Sequence, residues 1–136
     1  MNRIYTVPEQ YATIYQAEML HKLGVKLKSR LILVKQNGHM YLYQSKQKPS
    51  ERYLTIPNAL DAAMAIERDA KVYERIRRGF TKHNNGVWFT LTIFREGDPN
   101  RYYLKARTVD SLTRMYLRFL ITKINQDVKN YQKTKR

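Results

Sequence analysis

The feature that most constrains this chain is an internal echo: Asn37 to Ile66 reads as a looser copy of Asn85 to Leu120. In both, Asn-Gly leads into an aromatic-rich apolar run, a polar stretch ends in Pro49 or Pro99, Tyr53-Leu54 or Tyr103-Leu104 follows, and a capped helix comes next. The offset drifts from 48 at Asn-Gly to 50 at Tyr-Leu and 49 at Asp61/Asp110, a period of about 50 residues. A repeat of that length sets the architecture before any local motif does. The expected fold is α+β: an N-terminal amphipathic helix in 1–24, then two tandem antiparallel sheet-plus-helix units, 25–78 and 79–136, the second ending in a basic tail. Units this small bury too little surface alone, so they are expected to share a core.

Charge is the next constraint. The 136 residues hold 26 Lys+Arg against 11 Asp+Glu, a net +15. Residues 1–24 are neutral, 25–78 carry 12 basic and 5 acidic groups (+7), and 79–136 carry 12 and 4 (+8). Each unit thus has its own cationic excess, which points to a polyanion, nucleic acid ahead of an acidic protein or an anionic membrane. Zero Cys rules out a disulfide framework or thiolate metal site. No apolar run reaches the length of a membrane span, and Met1 to Tyr5 does not open a signal-peptide pattern, so a cytoplasmic location without membrane contact is expected.

Local signals place the elements. Pro8 suits the first turn of a helix running to about Leu23, with Tyr11, Ile14, Tyr15, Met19 and Leu23 near helical spacing before Gly24. Asn37-Gly38 between Leu31–Val34 and Met40–Tyr43 predicts a hairpin with a type I′ turn, and Arg52–Ile56 a third strand. Asn58 caps a helix expected to run to about Arg78, with Asp61 near the positive end of its dipole and Ala62, Ala63, Ile66, Ala70 and Tyr73 inward. In the second unit Phe80–His83 is a weak first strand, Val87–Arg95 and Arg101–Arg107 are strands, and Thr108 caps a final helix. Apolar positions Val109, Leu112, Tyr116, Phe119, Leu120, Ile124 and Val128 cover more than half of that helix, so it should be buried on two sides and hold the units together.

Period-two alternation splits the strands into faces. Val87, Phe89, Leu91, Ile93, Tyr102, Leu104 and Ala106 face the helix; Trp88, Thr90, Thr92, Phe94, Arg101, Tyr103, Lys105 and Arg107 face out. The outward set interleaves aromatics, hydroxyls and cations, as a surface does that enters a DNA major groove or stacks bases. The alternative is a sandwich interface between the two sheets. In the first unit Met40, Leu42, Leu54 and Ile56 face the helix, while His39, Tyr41, Tyr43, Tyr53 and Thr55 face out. Arg68, Lys71, Arg75 and Arg78 recur at helical spacing, either as a phosphate track or as a solvated helix face.

Two of these stretches carry a family resemblance. Ala62-Ala63-Met64-Ala65-Ile66-Glu67 is similar to the Ala-Ala-x-Ala-Tyr-Asp of AP2-type DNA-binding domains, and Trp88 in Val-Trp-Phe-Thr sits like the tryptophan of their second strand. The resemblance implies a three-stranded antiparallel sheet packed on one helix, with Trp88 and neighbouring strand cations entering the major groove. It covers roughly 30–78 and 80–124; Thr55 and Lys105 stand where the family usually has Gly after the third strand.

No catalytic constellation is visible. His21, His39 and His83 are scattered, there is no phosphate-binding Gly-rich loop, and Glu96 and Asp98 belong to a turn rather than a carboxylate cluster for Mg²⁺. The expectation is a non-enzymatic nucleic-acid-binding protein without cofactor or metal, DNA favoured over RNA. It would bind through Trp88, Arg101, Tyr103, Lys105, Arg107, Tyr41, Tyr43 and the Arg68/Lys71/Arg75/Arg78 stripe. The rival reading is a small phage-like inhibitor or adaptor of a nucleic-acid-processing protein.

Overall fold

The structure, a computed structural model, describes residues 2–47, 53–69, 76–82, 88–95 and 99–134. Among these the order is β1 (Asn2–Ile4), α1 (Ile14–Lys22), β2 (Ser29–Gln36), β3 (His39–Gln47), β4 (Tyr53–Ile56), α2 (Ala59–Asp69), β5 (Ile76–Lys82), β6 (Phe89–Arg95), β7 (Arg101–Ala106) and α3 (Val109–Thr134). The fold is α+β, with two antiparallel sheets ordered β1-β3-β2-β4 and β5-β6-β7. Among the described residues no helix is long and apolar enough to cross a membrane.

The first helix starts later than Pro8 suggests. Thr13 is its N-cap in a full capping box: the Thr13 hydroxyl accepts from Gln16 N (3.1 Å) and the Gln16 amide oxygen accepts from Thr13 N (3.0 Å). Residues 8–13 instead run beside the start of α2, where Ala12 N donates to Pro57 O (2.8 Å) and Ala59 N to Gln10 O (3.0 Å). Gly24, at φ +79°, ends α1 in a Schellman turn, with Val25 N donating to Leu20 O (2.9 Å) and Gly24 N to His21 O (3.1 Å).

Asn37 (φ 51°) and Gly38 (φ 78°) make the left-handed pair that joins β2 to β3 by a two-residue turn. The chain then crosses over, so β4 pairs with β2 rather than with β3. This departs from the tandem pattern: β2 lies inside the first sheet, with partners on both sides, whereas the strands of the second follow one another in order. Leu31, Ile32, Leu33 and Val34 are all buried instead of alternating: Leu31 and Leu33 belong to the shared core, while Ile32 and Val34 on the other side lie between cross-strand neighbours from both flanking strands. The short β1 on the other side of β3 has no counterpart among the sequence signals. Three residues offer no period to detect.

Asn58 caps α2 as expected, its side-chain oxygen accepting from Leu60 N (2.9 Å) and Asp61 N (3.2 Å). The described part of this helix runs to Asp69, and Ile76–Lys82 is strand rather than helix. Gly79, expected to stop a helix, is registered opposite Thr92 in the ladder, and the expected boundary at 78/79 falls inside β5. Ile76–Lys82 pairs with β6 along its whole length, a tertiary contact that overrides the local helical spacing. Ala70 and Tyr73 lie outside the described residues.

Ala17, Leu20, Leu31, Leu33, Ile56, Ala62, Ala63, Ile66, Leu91, Ile93, Leu112, Tyr116, Leu117 and Leu120 belong to one core cluster. α3 is its hub, packing against β6 and β7 and also against α1 and α2, while α1 packs against β4. The helices therefore join the sheets. Tyr116, almost wholly buried, donates its hydroxyl proton to Glu67 Oε1 (2.5 Å), tying α3 to α2. Thr108 caps α3, accepting from Ser111 N (3.0 Å). Val109 departs from the expected inward set and is exposed, while Leu112 in the same turn is buried in the core.

Candidate nucleic-acid interface

The second sheet places its outward set by register. Thr90 is opposite Lys105 and Thr92 opposite Tyr103, and residues that directly face one another across β6 and β7 share a side. Phe94 is registered with Arg101 in the same ladder. The other side holds Leu91, Ile93 and Ala106, all buried, with Phe89, Tyr102 and Leu104 packed on the core. The Tyr102 ring meets Phe119 of α3 at 4.9 Å between centroids, and Lys123 Nζ lies 3.1 Å from the Tyr102 hydroxyl. Lys123 is thereby tied to the helix side of the sheet.

On the outward side Trp88, just ahead of β6, gathers two cations. Lys105 Nζ lies 4.6 Å and the Arg107 guanidinium carbon 5.0 Å from its ring centroid. Both distances fall within the range at which a cation is attracted to the negative face of an indole. Tyr103 is 70% exposed. A sandwich with the first sheet would have covered that ring, so the sandwich alternative does not describe this face. Arg101, Lys105 and Arg107 are exposed around it.

The first sheet carries a second aromatic face. Arg3 is registered with Tyr43, and its guanidinium carbon sits 4.6 Å from the Tyr41 centroid and 5.0 Å from that of Tyr5. His39 tilts against Tyr41 at 6.3 Å, and Tyr5 is 81% exposed. Beneath, Ile32 and Val34 lie in the rows Tyr43–Ile32–Thr55 and Tyr41–Val34–Tyr53, buried but outside the shared core cluster. Two expectations of burial change, not of side: Met40, next to the hairpin turn, is half exposed, and Thr55, on the outward side with Tyr43 and Ile32, is buried, its hydroxyl donating to Leu27 O (3.1 Å).

The expected helix stripe is not brought together. Arg68 is exposed on α2, Lys71 and Arg75 lie outside the described residues, and Arg78 belongs to β5, registered opposite Ile93. A helical spacing argument fails at Arg78, which lies in a strand. Sequence reasoning also missed Arg3 and Tyr5, because a three-residue strand offers no period to detect. Arg114, counted among the cations, serves the fold instead. Its guanidinium donates to Tyr11 O (2.7 Å) and Pro8 O (2.8 Å), and the Gln16 side-chain amide donates to Arg114 O (2.9 Å).

Comparison of the chain with protein-family models, with curated proteins and with solved structures finds no match.

Proposed function

We propose that this is a non-enzymatic, basic nucleic-acid-binding protein that takes duplex DNA in preference to RNA, docking through outward sheet faces. The observation that carries the reading is the exposed Tyr103 beside a Trp88 ring clasped by Lys105 and Arg107, all on one side of a three-stranded sheet. Large aromatics left in water forgo about 25 cal/mol per Å² of burial, so a face built this way stands to gain from a partner. The surrounding cations select an anionic one.

A strand pair fits the major groove of B-DNA, whereas the deep, narrow major groove of RNA duplexes excludes it. The order β5-β6-β7 followed by α3 supports reading the AP2-type resemblance onto the second unit. In that reading Arg101, Lys105 and Arg107 meet phosphates or base edges, and Trp88 and Tyr103 lie against sugars and bases. The test is a salt titration of binding to duplex DNA, single-stranded DNA and RNA. The logarithm of the binding constant for duplex DNA should fall linearly with that of salt, with a slope of about −0.9 per phosphate neutralised. A flat response, or equal affinity for all three, would reject the proposal.

A further inference from the structure

The outward side of the first sheet is broader than the site on the second. Its aromatic and cationic residues run from Arg3 and Tyr5 at β1, through Tyr41 and Tyr43 on β3, to Tyr53 on β4, the full width of the order β1-β3-β2-β4. Three inter-strand spacings of about 4.8 Å set the outer strands roughly 14 Å apart. The major groove of B-DNA is only about 12 Å wide, so this set of residues is too broad to enter it together. On the second sheet Thr90, Thr92, Tyr103 and Lys105 occupy just the neighbouring pair β6 and β7, which a groove admits.

The chemistry of the first face points the same way. Within a duplex the faces of the bases are covered by the stack and only their edges are open, so a tyrosine ring gains its apolar area against a base face only where that base is unpaired. Tyr5 is 81% exposed, and a single guanidinium, that of Arg3, is shared between its ring and that of Tyr41. The four strands hold Arg3, Arg30, Lys35 and Lys46 and no Asp or Glu. No carboxylate of the sheet therefore opposes a phosphate chain.

We infer that the first sheet is a separate binding site for single-stranded DNA, with bases stacked on Tyr5 and Tyr41 and a phosphate held by Arg3. This deepens the nucleic-acid reading above and rests on it. A flexible single strand follows a face that is too wide for a groove. Arg3 serves both parts of the contact, because a guanidinium lying against aromatic rings keeps N–H groups for phosphate oxygens. The strand is assigned as DNA because the second sheet is matched to a DNA duplex.

The experiment uses the full chain, a labelled oligo(dT) of about 16 nucleotides and a labelled duplex of about two helical turns, roughly 20 base pairs. Each is titrated by fluorescence anisotropy. The wild type should bind both. Arg3→Ala with Tyr5→Ala should weaken oligo(dT) binding by roughly 5- to 140-fold for each base no longer stacked and leave duplex affinity nearly unchanged. Tyr103→Ala with Lys105→Ala should do the reverse, and Tyr5→Phe, which keeps the ring, should bind oligo(dT) as the wild type does. All four truncated side chains are exposed, matching melting curves would show that the variants fold, and either single variant replaces a pair that does not.

Equal losses for both ligands in the Arg3/Tyr5 variant would make the first face part of the duplex surface. Loss of oligo(dT) binding only in the Tyr103/Lys105 variant would put the single strand on the second sheet, and duplex binding without oligo(dT) binding would leave the first face to an acidic protein or to nothing. Each of these results overturns the inference and leaves the nucleic-acid reading intact. Tighter binding of oligo(rU) than of oligo(dT) would overturn the assignment to DNA. Binding of neither oligo(dT) nor the duplex would instead remove the underlying reading, and this site with it.

Discussion

Trp88 has two separable roles. Its ring is the anchor for Lys105 and Arg107, and its position ahead of β6 brings both cations toward Tyr103's side of the sheet. At partly exposed sites each such contact contributes about 0.5–1 kcal/mol. Trp88→Ala should thus release both cations and weaken duplex binding, while Trp88→Phe, which keeps a smaller π face, should fall between the two in a fluorescence-anisotropy titration. Tyr103 plays the simpler part. Since its ring is 70% exposed, Tyr103→Ala should leave the melting temperature nearly unchanged and remove about 1–3 kcal/mol of binding where a base stacks on it. A loss of several kcal/mol in folding stability would mean that the ring is covered within the molecule.

Among the elements, α3 separates structural from binding charge. Arg114 sits on a basic chain yet directs its guanidinium to the carbonyls of Pro8 and Tyr11, holding the segment before α1 against the helix. Hydrogen bonds from a charged donor contribute about 1.5–3 kcal/mol each to the groups they satisfy, so Arg114→Ala should lower urea-unfolding stability by about that amount or more and leave the salt slope of binding unchanged. Leu117, fully buried where α3 meets the other helices, should cost about 2–5 kcal/mol when changed to Ala. The β2–β3 hairpin has a local dependence instead. Gly38 has open space around a notional Cβ but sits at φ +78°, so Gly38→Ala should cost about 1 kcal/mol through the backbone alone. The same unfolding measurement checks all three.

For the whole molecule, one core spanning both sheets predicts one cooperative unfolding event. The single tryptophan, Trp88, reports on the second sheet, while far-UV circular dichroism reports on the entire chain. The two signals should give coincident denaturant curves. Ile56→Ala, at the inner side of the first sheet, should move both curves together by about 2–5 kcal/mol. If the Trp88 curve stayed in place, the sheets would be separate cooperative units and the hub role of α3 would fail.

Local chemistry determined what could be read from the chain alone. Asn37-Gly38, the Asn58 and Thr108 caps and the alternation from Phe89 to Ile93 involve neighbours a few residues apart, and each appears in the structure where the sequence places it. The outward grouping of Arg101, Tyr103, Lys105 and Arg107 was legible for the same reason: alternation along a strand needs no tertiary information. Pairing across distance decided the rest. Whether Gly79 ends a helix or joins a strand depends on β6 being there to complete its ladder, and the helical stripe through Arg78 vanished with that choice. Nor does periodicity reveal that β4 returns to β2, or that β1 brings Arg3 onto Tyr41, because those contacts join segments tens of residues apart. The division of the cations into a clamp at Arg114 and open faces at Arg3 and Lys105 likewise arises only when the chain is packed, since charge in a sequence carries no record of what it will meet.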